Sequence, residues 1–297
     1  MEEILHSSGS SPLLMSAAWL ATDAALPAPP AARTAGYPVR PELLPDFEAE
    51  SGRYAVRFAR TADELDAVLR LRFEVFNLEL AEGLDSSFLT GRDEDEFDAT
   101  SHHLLVLERS SGRVAGTYRL RTAEADVESR GFYSAGEFDL ARLPPRVADE
   151  SVEIGRACIA REHRNTQVLF LLWRGLAAYF RHNLKRFFFG CCSLAGTDGR
   201  EGLRVLDHLE RQGHMHPSFY VPPRAGFECG TDGAQIYGTA RGGGEPSLPK
   251  LFRTYLRFGA KVCGPPAVDR AFKTTDFFVV FDAAEMDAKT RRLFFEG

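Results

Sequence analysis

The sequence predicts an α/β protein built on a mixed central sheet. Two observations carry this expectation. Short apolar segments alternate with a period of two while longer ones repeat at helical spacing, and they follow one another as strand, helix, hairpin, strand, helix, strand. With 297 residues, 44% of them hydrophobic, the chain has enough apolar material for a large core, which excludes disorder along its whole length.

Residues 1–50 are rich in Ala, Pro and Ser, and the prolines from Leu26 to Pro38 suit neither a helix nor a sheet ladder. This stretch is expected to be a disordered or extended leader, with residues 51–297 forming the folded domain. Glu2 and Glu3 stand where a secretion signal would carry positive charge. Tyr54, Val56 and Phe58 alternate with Ala55, Arg57 and Ala59 and predict a first strand. Thr61 and Glu64 have the spacing of a capping box, opening a helix with the stripe Leu65, Val68, Leu69, Phe73, Phe76 and Leu80. Arg72 lies inside that stripe, so its guanidinium needs an anion, supplied either by the protein or by a substrate.

Two apolar segments, His103 to Leu107 and Val114 to Leu120, flank Ser110-Ser111-Gly112 and predict a hairpin. A strand over 152–159, a helix over 166–183 and a strand over 186–192 follow. In the helix, Leu169, Leu172, Trp173, Leu176 and Phe180 form one apolar stripe and are expected in the core, with the lining of an acyl tunnel as the alternative. Residues 198–247, with a helix near 203–211 and a tract containing Arg241-Gly242-Gly243-Gly244, read as an insertion or lid. A helix over 248–258, a strand over 277–281 and a last helix over 283–295 complete the chain.

The net charge of −6 is uneven. Acids dominate the first 50 residues, whereas between 156 and 186 seven bases, among them Arg161, Arg164, Lys185 and Arg186, face only Glu162. One basic segment on a near-neutral body suits an acidic partner docking at one place and not a nucleic-acid coat. Five cysteines with no CxxC pair suit a reducing cytoplasm. The longest apolar run, Val168 to Phe180, is interrupted by Arg174 and is too short to span a bilayer. His102, His103, His208, His214 and His216 lack the acid or cysteine spacing of a metal site, so no metal is expected.

The segment Ser151-Val152-Glu153-Ile154-Gly155-Arg156 is the most informative. A strand apolar enough for the centre of a sheet carries an acid and a base three residues apart, on opposite faces if the strand is regular. A bulge at Gly155 would bring both to one side and free backbone N–H groups, giving a reaction centre; an internal salt bridge is the alternative. Downstream, Arg161 to Thr166 leads into a helix N-terminus, a combination that selects phosphate.

Several ordered motifs together resemble a known family. Arg72-x-x-x-Phe76, Asp95-x-x-Asp98, Gly116-Thr117-Tyr118-Arg119-Leu120, Ser134-x-x-Glu137-Phe138-Asp139, Glu153-x-x-Arg156 and Asp269-x-x-Phe272-x-Thr274-Thr275-Asp276 are similar to the GNAT-fold branch of ornithine-lipid N-acyltransferases, related to acyl-homoserine lactone synthases. The resemblance, from about Tyr54 to Phe281, implies a sheet with two splayed strands and helices on both faces. It also implies transfer of a 3-hydroxy fatty acyl group from acyl carrier protein to the α-amine of ornithine, giving lyso-ornithine lipid, with acyl carrier protein as donor and no further cofactor. Arg161 to Thr166 lacks the glycines of acetyl-CoA-binding members, in keeping with a protein-borne donor.

Aminolysis of a thioester then assigns roles. Glu153 is expected to take the amine proton, directly or through water, and backbone donors beside Gly155 to stabilise the carbonyl oxygen. Glu153 and Arg156 are the catalytic candidates. Arg72, Arg119 and Arg156 are candidates for the acceptor carboxylate, Asp95 and Asp98 for its cationic side chain, and Phe76 belongs to the same substrate set. Arg161, Arg164, Lys185 and Arg186 are expected to receive the carrier protein and its pantetheine arm. An acceptor such as glycine, lysine or glutamine, a lactone synthase using S-adenosylmethionine, and a catalytically idle binding protein are the alternative readings. A cytoplasmic enzyme touching the membrane face peripherally is expected, because its product is an amphiphile.

Overall fold

A computed structural model describes residues 36–230 and 245–295. Nine strands form one sheet: β1 (Ala49–Ser51), β2 (Tyr54–Phe58), β3 (His102–Glu108), β4 (Val114–Arg121), β5 (Ser151–Ile159), β6 (Phe187–Ala195), β7 (Lys261–Val262), β8 (Ala267–Asp269) and β9 (Thr274–Asp282). The spatial order is β1-β2-β3-β4-β5-β6-β9-β7, with β8 also pairing with β9. Strands β1 to β5 run as an antiparallel meander, β5 and β6 are parallel, and β6 and β9 are antiparallel.

The helices are α1 (Ala62–Phe73), α2 (Ser87–Thr90), α3 (Pro145–Asp149), α4 (Thr166–His182), α5 (Gly199–Arg211), α6 (Lys250–Arg257) and α7 (Ala288–Phe295). Alternation along β3 places them on both faces. Leu104 and Val106 pack with α4 residues, while Leu105 packs with Val68 of α1. The Thr61–Glu64 capping box forms in both directions at the start of α1. A π-helical turn, Glu74–Glu79, extends α1, and Leu80 at its end is 46% exposed, so the expected stripe stops short of that residue.

Order begins earlier than expected. Leu44 is buried in the main core, β1 pairs with β2, and the carbonyls of Val39, Glu42 and Leu43 accept hydrogen bonds from His102, His182 and Asn183. The boundary at residue 50 is therefore corrected, because apolar residues of 36–50 cover the end of α4 and the β2–β3 side of the sheet. The insertion is also corrected in part. Val205, Leu206 and Leu209 of α5 share a core cluster with Phe252 of α6 and Phe277 of β9, and Val221 is fully buried, so residues 199–221 are integral to the fold. Arg241-Gly242-Gly243-Gly244 lies outside the described residues. His102 bonds the Tyr179 hydroxyl and His103 the Asp98 carbonyl, which makes both of them core histidines.

Candidate functional site

Strands β5 and β6 begin side by side and then part. Rungs join Ser151 to Phe187, Val152 to Phe188 and Glu153 to Phe189, and none follows, although both strands continue for six more residues. At the fork Gly190 lies so close to the Ile154 carbonyl oxygen that a Cβ would approach it to 2.2 Å, which explains the glycine. On its other edge β5 pairs with β4 through a register shift between Thr117 and Arg119. The bulge is one residue beyond the expected position: Arg156 and not Gly155 adopts the left-handed conformation, with φ of 49°.

The gap holds a cavity of about 500 Å³ that passes through the sheet. On one face its wall is polar: Arg119, Ser134, Glu153, Arg156, Asp269 and Asp276. On the other it is apolar, between α4 and α6: Trp173, Leu176, Phe188, Tyr255, Phe258 and Phe281. Trp173 and Leu176, expected in the core in preference to an acyl tunnel, belong to the core and also line the cavity, whereas Leu172 and Phe180 are core alone. The Tyr118 and Tyr255 hydroxyls, 2.5 Å apart, tie β4 to α6 across the apolar side.

The polar side rests on a network of three arginines and three aspartates. Arg72, with no solvent exposure, donates to Asp93 at 2.7 Å and to Asp98 at 2.6 Å. Arg119 donates to Asp95 at 2.7 Å and to Asp98 at 3.0 Å, and Arg156 to Asp95 at 3.0 Å. Burial opposes the Asp95 anion, but Arg119, Arg156 and Arg72 outweigh it and hold its pKa below the ordinary carboxylate range. Two expectations are corrected here. Arg72 finds its anion inside the protein and does not line the cavity. Asp95 and Asp98 do not line it either, because the buried arginines need their charge. Arg119, Arg156 and Phe76 do line it, and Arg156 lies over the Phe272 ring at 4.1 Å and the Tyr133 ring at 5.0 Å.

Glu153 and Arg156 are not paired with each other. Glu153 Oε1 accepts from the Ser134 N–H and hydroxyl at 2.7 and 2.6 Å, and Oε2 from the Tyr133 N–H at 2.7 Å. A carboxylate has about four acceptor positions, so one remains, on Oε2.

A second acidic group was missed by sequence reasoning. Glu137, Asp269 and Asp276 each bring a carboxylate oxygen within 4.8 Å of the others, and Glu82 lines the same cavity. Burial, then the charges of Asp276 and Asp269, push the Glu137 carboxyl up to about 10, and burial followed by Asp276 pushes Glu82 up to about 7. Glu137, Asp269 and Asp276 stood in the motifs of the resemblance without a role. Nothing in the local sequence singled out Glu82.

The basic segment does not form one patch. Arg161 is exposed and Arg164 pairs with Glu79 at 2.6 and 2.8 Å, both beside the N-terminus of α4. Lys185 and Arg186 follow its C-terminus. Lys185 is nearly buried on Glu124 and the Asp149 carbonyl, and Arg186 forks onto Asp282, so these two are corrected from docking residues to internal ties.

Several known proteins are similar to this chain. The acetyltransferase (GNAT) domain family matches residues 71–174. The chain is 32% identical over 241 residues to the L-ornithine N(alpha)-acyltransferase of Rhizobium meliloti (strain 1021), covering 78% of this chain and 81% of that protein. It is also 32% identical over 248 residues to the L-ornithine N(alpha)-acyltransferase of Rhodobacter capsulatus, covering 81% and 94%. Among solved structures, the acyl-homoserine lactone synthase LasI matches with a TM-score of 0.44 at 14% identity, over 83% of this chain and 97% of that one.

Proposed function

Because the chain belongs to the L-ornithine N(alpha)-acyltransferase family, we propose that it moves a 3-hydroxy fatty acyl group from acyl carrier protein to the α-amine of ornithine, forming lyso-ornithine lipid. The observation that carries this reading is the two-faced cavity through the β5–β6 gap. An acyl thioester presents an apolar chain, a flat reacting carbon and a polar acceptor in line. The gap offers an apolar chamber, an unpaired strand edge and a charged face in the same order.

The donor's tether enters at the open end of the fork, where Arg161 and the N-terminus of α4 lie, and the acyl chain runs towards Trp173 and Phe258. The ornithine amine attacks the thioester carbon. Backbone N–H groups of the 154–157 run, unpaired on the side facing β6, stabilise the oxyanion, and the thiolate of the tether leaves. The amine proton passes to the remaining acceptor position on Glu153 through water. Arg156 and Arg119 face the acceptor carboxylate. We place the reaction in the cytoplasm. None of the described helices is long and apolar enough to cross a membrane. Exposed Leu78, Leu80, Phe88 and Leu89, near the Phe76–Glu82 wall, provide apolar surface for peripheral membrane contact.

The test is direct. Purified protein incubated with 3-hydroxyacyl carrier protein and ornithine is expected to give acyl-ornithine by mass spectrometry, and Glu153→Gln to slow its formation by roughly 10²–10⁴-fold. An unchanged rate in the folded variant removes Glu153 from the mechanism, and absence of product with the unaltered protein removes the reading.

A further inference from the structure

We propose that Glu82, Glu137, Asp269 and Asp276 form the subsite that holds the side-chain ammonium of the acceptor, and so select a diamino acid. The inference rests on the ornithine reading and assigns its specificity residues.

The buried acids fall into two groups that differ in their counter-charges. Asp93, Asp95 and Asp98 are matched by Arg72, Arg119 and Arg156. The second group has no such match. Asp269 Oδ1 accepts only backbone N–H groups, those of Ala271 and Phe272, and Asp276 Oδ2 accepts from the Thr274 hydroxyl. Glu137 Oε2 and Asp276 Oδ1 meet no basic side chain and no backbone donor, although both residues are only 4% exposed, and burial with the neighbouring acids keeps a proton on Glu137 where a cation would otherwise be needed. The Glu82 carboxylate makes no hydrogen bond or ion pair with any described residue. Asp269, Asp276 and Glu82 line the cavity on the same side as Arg156.

Buried acceptors without donors carry a large desolvation penalty unless a ligand completes them. A primary ammonium brings one positive charge and three N–H donors on a flexible stem, and so satisfies several converging carboxylates at once. Arg156, over the Phe272 ring, and the acids beside it, with Asp269 holding the Phe272 N–H, together suit the carboxylate and the side-chain ammonium of one amino acid. The same oxygens would also suit a divalent cation, which the test separates.

The experiment compares ornithine with 2-aminopentanoic acid, the same carbon chain without the terminal amine, using one acyl carrier protein donor. The unaltered protein is expected to favour ornithine in kcat/KM by at least about 100-fold, since a site built for a polar group rejects the analogue lacking it. Asp269→Asn, Glu137→Gln and Glu82→Gln are each expected to reduce that preference by about 10-fold or more, chiefly through KM for ornithine. Binding without chemistry gives a second readout: ornithine, and not 2-aminopentanoic acid, should raise the Tm of the unaltered protein. A preference unchanged in all three folded variants overturns the subsite. So does a preference abolished by chelator and restored by Mg²⁺, which assigns the acids to a metal. Acylation of both amino acids without preference sinks the subsite alone, whereas acylation of neither sinks the ornithine reading and the subsite with it.

Discussion

At the scale of single residues, Arg72 shows how a charge on a core face is accommodated. Its guanidinium is enclosed by Asp93 and Asp98, and removing it leaves both carboxylates buried without their cation. Arg72→Ala is expected to cost about 3–5 kcal/mol of stability in urea unfolding. A folded, stable variant with only a weakened KM for the acceptor would place Arg72 at the substrate instead. Glu137 acts in the opposite sense. Burial together with Asp276 and Asp269, opposed by Arg156, raises its pKa in the folded protein from the ordinary 4.5 to about 10. The folded state therefore holds a proton that the unfolded chain releases above pH 4.5. Its contribution is fully present below that pH and is lost as pH rises towards 10. Glu137→Gln should accordingly be more stable than the unaltered protein at pH 9, with the difference shrinking on acidification. Parallel urea titrations at pH 5, 7 and 9 measure it, and a difference that grows towards pH 5 contradicts the assignment.

At the scale of elements, the fork between β5 and β6 depends on a close approach of backbone to backbone. Gly190→Ala places a methyl against the Ile154 carbonyl, so the strands must shift, at a cost of about 1–3 kcal/mol and with a distorted cavity mouth. Urea unfolding combined with acyl-transfer rates checks this, and unchanged values for both would show that the strands part for another reason. The long elements were legible in the sequence because each buries a periodic face: β2, the β3–β4 hairpin, β5, α4 and β9 all lie within a few residues of their expected bounds. Short β1, β7 and β8 were not, because two or three residues carry no period and owe their conformation to the neighbour they pair with. Of the cavity lining, Glu153, Arg156 and Arg119 were legible as charged residues in otherwise apolar strands, whereas Phe76 is ordinary in an apolar stripe and was singled out only by the resemblance. The partners of Glu153 and Arg72 were not, since the 132–136 turn and the Asp93 loop reach them only through the tertiary fold.

At the scale of the whole molecule, the two halves of the basic segment lie at opposite ends of α4, roughly 25 Å apart for 17 residues at about 1.5 Å each. Only the Arg161 end adjoins the open side of the fork. Arg161→Glu is expected to raise KM for acyl carrier protein about 10-fold at low salt and less at 0.5 M salt, as steering by exposed charge requires. Lys185→Gln should leave that KM unchanged and lower stability. Equal effects on KM would return both ends to a single docking surface. The fork also governs how turnover ends. The sheet is closed at the Glu153–Phe189 rung and the strands stay apart beyond it, but the gap is bridged on its polar face: the Gly83 N–H donates to the Phe272 carbonyl at 3.2 Å, the Phe76 and Phe272 rings meet edge to face, and Lys273 pairs with Asp85. In the proposed reaction, an acyl-ornithine with its head on one side of the sheet and its tail on the other leaves edgewise once that bridge opens, with no strand unzipped and no chain drawn end-first through the protein.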